Sequence, residues 1–180
     1  PAGIPLGPGH LSGKFRHRLI ERGIDYVHSD IDAFWLQNPL PVVRRQRADI
    51  VASIAYGTPR EVVDEWGFVM CLGFYAMRSN PATRRLYPAY VRYTRDHGHD
   101  QNGLNTLLRE RGANWQRDAE DVLQGRCKAL DLTMAVLPDA LISRQESVYA
   151  SPRKPLVMHP LLAVEGMTAK MKMLSEAGIE

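Results

Sequence analysis

The order of apolar and polar positions divides the chain into short alternating blocks. Leu11, Phe15 and Leu19 recur at helical spacing after Ser12, and Gly23 stops the run, so a helix is expected from Ser12 to about Arg22. Pro1 to His10 is rich in Pro and Gly and reads as an arm, leaving 11–180 as one domain. Ile24 to Ser29 reads as a short strand whose end delivers Asp30 and Asp32. Asn38-Pro39-Leu40-Pro41 predicts a turn, and DIVASI (Asp49 to Ile54) a second strand. The polar segment Tyr56 to Glu65 reads as a loop. Trp66 to Arg78 is a long apolar strand candidate with Gly73 in its middle, where glycine marks a bulge or a close approach.

Ser79-Asn80-Pro81 opens a helix to about Asp96 that carries Leu86, Tyr90 and Tyr93 on one side. A second helix is expected from Asp100 to Arg111, with Leu104, Leu107 and Leu108, and Gly112 ends it. Asn114 to Lys128 is charged and gives no clear period. Leu130 to Leu137 and Leu156 to His159 read as strands, and Thr168 to Ala177 as a closing helix with Met167, Met171 and Leu174 on one face. Alternation of strands with helices predicts an α/β fold with a mixed, mainly parallel sheet flanked by helices. In such sheets ligands bind beyond the carboxyl ends of the strands, the position of Asp30 and Asp32. The two aspartates are therefore expected on one concave face at the end of a central strand.

Composition narrows the class. The chain has 180 residues, 44% of them hydrophobic and 24% charged, which suits a folded domain. The net charge is +3 and the isoelectric point about 9.0. This mild excess is dispersed among acids, as in Arg44, Arg45 and Arg47 before Asp49. It suits a phosphate-bearing small molecule, and nothing resembles a nucleic-acid-binding arm or stacking platform. No apolar run has the length of a membrane span. The two cysteines, Cys71 and Cys127, have no metal-binding spacing; a disulfide and two reduced thiols both satisfy the count.

Asp30-Ile31-Asp32 carries the chemistry. Like charges disfavour each other and burial disfavours both, and a cation between them removes the conflict. Residues two apart on an extended chain face the same way. Hard dications such as Mg²⁺ and Mn²⁺ take carboxylate oxygens and share their remaining positions with phosphates. An N-cap followed by a solvated turn acid would give the same triplet, so the surrounding residues decide. An apolar strand precedes it; Phe34-Trp35-Leu36 and Asn38-Pro39 follow.

With those flanks, GIDYVHSDIDAFWLQNPLP resembles the metal-binding segment of the nucleotide-diphospho-sugar transferase family, whose members have the GT-A glycosyltransferase fold. LGFYAMRSNPAT (Leu72 to Thr83) resembles that family's Gly-Phe strand and its Arg-Ser-Asn helix start. HDQNGLNTLL (His99 to Leu108) resembles its Asp-Gln-x-x-Leu-Asn helix, and LVMHPLLAVEGMTAKMKML (Leu156 to Leu174) its closing His and Lys segment. The four matches occur in the family's order and cover most of Leu11 to Leu174.

The resemblance implies a metal-dependent glycosyltransferase, with retention expected, that moves a sugar from a nucleotide-diphosphate donor to a glycan or protein hydroxyl. It assigns Mn²⁺ or Mg²⁺ to Asp30 and Asp32, with His159 completing the site from 127 residues beyond Asp32. Asp100 and Gln101 correspond to the catalytic pair near donor sugar and acceptor. Gly73 would admit the sugar to the backbone, and Lys170 would neutralise the diphosphate. Plain alternatives exist for each: a strand-end histidine bonded to backbone, a helix cap with a first-turn polar residue, a bulge, and a solvated lysine. His10, His17, His28, His97 and His99 lack ligand spacing and read as surface or satisfied core residues. Trp66 and Trp115 read as packing anchors.

Family members carry a nucleotide-binding half before the Asp-x-Asp. Here 29 residues precede Asp30, fewer than the ~30 or more of one βαβ unit once the arm is set aside. The expectation is a fragment or a shortened relative. A shortened relative suits a non-catalytic scaffold or assembly subunit with protein partners, and would transfer sugar weakly or not at all. A longer precursor suits the Golgi or secretory pathway. A dehalogenase-like phosphatase also has Asp-x-Asp after its first strand, but it needs a small hydroxyl residue where Phe34 stands and a downstream acid motif that does not occur.

Overall fold

The computed structural model describes residues 8–144 and 154–160, together with Thr168, Met171, Lys172 and Ser175, which are helical. Helix α1 spans Pro8–Glu21 and is followed by strands β1 (Tyr26–Ser29) and β2 (Phe34–Trp35). Next come helix α2 (Leu40–Arg45), strand β3 (Ile50–Ala55), helix α3 (Arg60–Trp66) and strand β4 (Val69–Met77). Two long helices follow, α4 (Pro81–Asp96) and α5 (Asp100–Glu110). The remaining strands are β5 (Asn114–Arg117), β6 (Leu123–Cys127), β7 (Leu132–Leu137), β8 (Ile142–Ser143) and β9 (Val157–Met158).

The class is α/β, with a six-stranded sheet in the order β1-β4-β3-β7-β6-β5 and a small sheet in the order β2-β9-β8. The large sheet is mixed, but the expected predominance of parallel pairing does not hold. Among the described residues only β3–β7 is parallel within it, and β1–β4, β3–β4, β5–β6 and β6–β7 are antiparallel. The connections explain this. A parallel neighbour requires a crossover back along the full strand. Between β3 and β4 lies only α3, about 10 Å long at 1.5 Å per residue, against a strand of about 20 Å. The Lys128–Leu130 turn between β6 and β7 is shorter still.

Helix limits follow local chemistry. Asn80 caps α4 by accepting from the amides of Ala82 and Thr83, and Thr83 returns a bond to the Asn80 amide. Such a reciprocal cap satisfies two otherwise unpaired donors. Gly23, at φ +80°, ends α1 in the left-handed conformation that glycine adopts freely. The start of α1 lies at Pro8, four residues before the expected Ser12, so part of the expected arm is helical. Two helices were not apparent from the sequence: α2, read as a turn, and α3, read as loop. Each has at most two turns, and α2 buries Val43 alone and α3 Val62 alone, too little apolar repetition to reveal a period.

All nine residues of β4 are buried, as a strand covered on both faces requires. On one face Leu72, Tyr75 and Met77 pack with Ile20 of α1, Leu86 of α4 and Leu104 of α5. On the other, Phe74 and Ala76 pack with Val51, Ala135 and Val157. Gly103 lets α5 press against α4: a Cβ there would lie 2.5 Å from the Thr94 amide nitrogen. That crossing fixes the N-terminus of α5 beside the sheet.

Candidate active site

β1 is an edge strand, not the central strand that the apolar run suggested. Ile24 and Val27 are exposed, because among the described residues β1 has a hydrogen-bonded neighbour on one side only, β4. The placement of the aspartates nevertheless follows from this ladder. The amide of Asp30 donates to the Gly73 carbonyl at 2.7 Å, extending the β1–β4 pairing by one residue. The chain then turns, with the Ala33 amide donating to the Asp30 carbonyl at 3.0 Å.

After that turn β2 pairs with β9, Phe34 opposite Met158 and Trp35 opposite Val157. This two-residue pairing brings the end of β9, and hence His159, beside the Asp-x-Asp turn. The His159 amide donates to the Ser143 carbonyl at 2.8 Å, which ties it to β8 as well. The His159 Nε2 stands 3.3 Å from Asp32 Oδ1 and 3.6 Å from Asp30 Oδ2. One donor atom from each of the three side chains lies within 4.8 Å of the others. His159 is buried, Asp32 half-buried and Asp30 exposed, so the group opens to solvent through Asp30.

The two carboxylates are oxygen donors of the kind that Mn²⁺ and Mg²⁺ take, and the imidazole adds a nitrogen donor beside them. The free space at Gly73 also fits. A Cβ on that residue would fall 1.9 Å from His159 Cε1, so glycine leaves the room that the ring occupies. The close approach that glycine permits is therefore to the histidine.

The three residues line a cavity of about 630 Å³ that also includes Gly73, Asp100, Gln101 and Arg144. Asp100 Oδ2 accepts from Arg16 at 3.0 Å, and Oδ1 accepts from the Gln101 amide at 2.8 Å. The Gln101 side chain bridges two walls: its Oε1 accepts from the Leu72 amide at 3.3 Å and its Nε2 donates to the Thr58 carbonyl at 3.2 Å. The helix α5 cap comes instead from His99, whose Nδ1 accepts from the Gln101 amide. Thus six of the seven expected site residues share one cavity, and Lys170 lies outside the described residues.

Three neighbours were missed in the sequence. His28 Nε2 lies 3.0 Å from Asp30 Oδ1; the two-residue spacing along β1 carried that signal. Arg144 and Cys71 come together through β8 and β4, with Arg144 Nη1 donating to Cys71 Sγ at 3.0 Å. The sulfur also lies 3.7 Å from His159 Nδ1. Burial alone would push the Cys71 thiol up, but the His159 ring and the Arg144 guanidinium outweigh it and hold the thiol below its ordinary value. Cys71 and Cys127 are both free thiols.

An α/β fold with an Asp-Asp-His group beyond a strand end is compatible with a nucleotide-dependent transferase, and comparison of the sequence identifies the family. The sequence model of the nucleotide-diphospho-sugar transferase family matches residues 12–174, and the chain belongs to that family. Its α/β sheet is of the GT-A-like kind. No curated protein and no solved structure matches the chain. Among the described residues no helix is long and apolar enough to cross a membrane.

Proposed function

We propose that the chain is a metal-dependent glycosyltransferase that holds Mn²⁺ or Mg²⁺ on Asp30, Asp32 and His159 and moves a sugar from a nucleoside diphosphate to a hydroxyl of a glycan or protein. The convergence of those three side chains at a cavity in a chain of this family carries the reading. When bound, the cation counters the charge that develops on the departing diphosphate.

The chain's own residues supply the remainder. Arg144 is the one arginine or lysine among the described residues lining the cavity, so it offers a fixed positive charge to the phosphates. Asp100, held by Arg16, presents an oriented acceptor to sugar hydroxyls. Gln101 fixes the distance between β4 and the Thr58 wall, and so the width of the sugar site. Holding donor and acceptor in register in this way is a large part of transferase rates. Retention at the anomeric carbon is what the family resemblance implies, and a Golgi or secretory location is what it implies for a longer precursor; the anomer of the product tests the first.

Calorimetric titration with uridine and guanosine diphosphates, with and without Mn²⁺, tests the reading. One diphosphate is expected to bind in the presence of Mn²⁺ and to lose that enhancement in Asp32→Ala. Nucleotide binding indifferent to both Mn²⁺ and Asp32→Ala would refute it.

A further inference from the structure

His159 is seated from behind as firmly as it is faced in front. Its Nε2 looks toward Asp30 and Asp32, while its Nδ1 lies 3.7 Å from Cys71 Sγ. Cys71 and Gly73 sit two apart on β4, one opposing Nδ1 and the other giving the ring its space. The sulfur is fully buried, packed with Ala55, Val62 and Val69, so water does not compete for it. Arg144 Nη1 lies 3.0 Å away on the same sulfur. Guanidinium groups only donate, so this contact already casts the sulfur as an acceptor.

We infer that Cys71 is a positioning residue: its sulfur accepts the Nδ1–H of His159 and thereby keeps the Nε2 lone pair turned toward the aspartates. The inference rests on the metal-site reading above. A ring nitrogen that binds a cation must be free of its proton, and the bond made by the other nitrogen sets which tautomer is present. If the thiol donated to Nδ1 instead, the ring proton would sit on Nε2 and block the site. Cation binding at Nε2 therefore selects the other arrangement, in which the sulfur accepts from Nδ1–H as it does from Arg144. Outer partners of this kind are most often carboxylates or backbone carbonyls; here β4 supplies a thiol, anchored by Arg144 just beyond β8.

Mn²⁺ affinity of the nucleotide-free 180-residue chain, measured by calorimetry, separates the possibilities. Cys71→Ala and Cys71→Val are expected to weaken Mn²⁺ binding by about 10–100-fold, and Cys71→Ser to retain most of it, since a hydroxyl also accepts. Melting temperatures in chelator should stay close to that of the native chain. Val preserves side-chain bulk should the Ala variant fold poorly. Long-range ¹H–¹⁵N spectra of the native chain saturated with Mg²⁺ should show His159 protonated at Nδ1. Native-like Mn²⁺ affinity in the Ala and Val variants, with Asp32→Ala weakened, would overturn the positioning role alone. So would a Ser variant as weak as Ala, or a ring protonated at Nε2. A native chain without Mn²⁺ affinity, or an Asp32→Ala variant that keeps it, would overturn this role and the metal reading together.

Discussion

Two acidic sites face the same cavity and differ in what answers their charge. Asp100 is met by Arg16, a cation fixed within the protein: the guanidinium is 6% exposed, donates to Asp100 at 3.0 Å and also donates to the buried Tyr75 hydroxyl. Its charge is permanent, because burial pulls the Arg16 guanidinium down but Tyr75, Tyr90 and Asp100 hold it above its ordinary range. Asp30 and Asp32 are met by histidines, His28 and His159, whose charge is optional. A carboxylate with a built-in arginine is completed by the fold. A pair of carboxylates beside histidines offers donors to the guest cation proposed above. Proximity to a pocket therefore does not distinguish an acid fixed by an internal cation from one open to a guest cation; the partner does.

The sharpest way to break this contrast is Asp32→Ala. Mn²⁺-dependent nucleotide binding and any sugar transfer should fall to the metal-free level, while the thermal unfolding midpoint stays nearly unchanged, since the side chain lies in a turn beyond β1. A large drop in melting temperature would mean that Asp32 is tied into the fold as Asp100 is. Arg16→Met should do the reverse. It leaves Asp100 without its counter-ion and should cost about 3 kcal/mol, read by denaturant titration, with Mn²⁺ affinity unchanged. Loss of Mn²⁺ binding in that variant would show the two acidic sites to be one coupled unit.

Gly73→Ala tests the seam between them. The new methyl would collide with His159 Cε1, and overpacking of this kind costs about 1–3 kcal/mol. At about 2–4 °C per kcal/mol for a chain of this size, the shift is measurable by calorimetric scanning. Because the ring yields before a strand paired on both sides does, Mn²⁺ affinity should fall more steeply than stability. The smallest effect is expected from His28→Ala. Its contact with Asp30 is partly exposed, and such pairs contribute less than about 1 kcal/mol, so melting temperature and Mn²⁺ affinity should both stay near native. A strong loss of Mn²⁺ affinity would instead make His28 a fourth member of the metal group.

Much of this was legible in residue order alone. The apolar run from Val69 to Met77, the Asn80 cap and the Leu104/Leu107/Leu108 face of α5 fixed the main elements, because their signals are local: burial on both faces, side-chain capping and helical period. The Asp-x-Asp, Gly73, Asp100-Gln101 and His159 segments likewise stood out through four ordered resemblances to one family. Pairing direction was not local. It depended on whether α3 is long enough to return the chain along β3, and the two short helices leave almost no apolar period to read. Nor could the sequence place β1 at the sheet edge, since four residues look alike in an edge strand and an inner one. The three-residue group itself was decided by tertiary structure: β2 pairs with β9 over two residues, and that contact, closing more than a hundred residues of chain, sets His159 against the aspartates. The same folding put Arg16 on Asp100, and Arg144 and Cys71 behind His159. Residue types determined which chemistry was available to the chain; only packing decided which charge each side chain meets, because electrostatic attraction acts through distance and burial rather than through sequence separation.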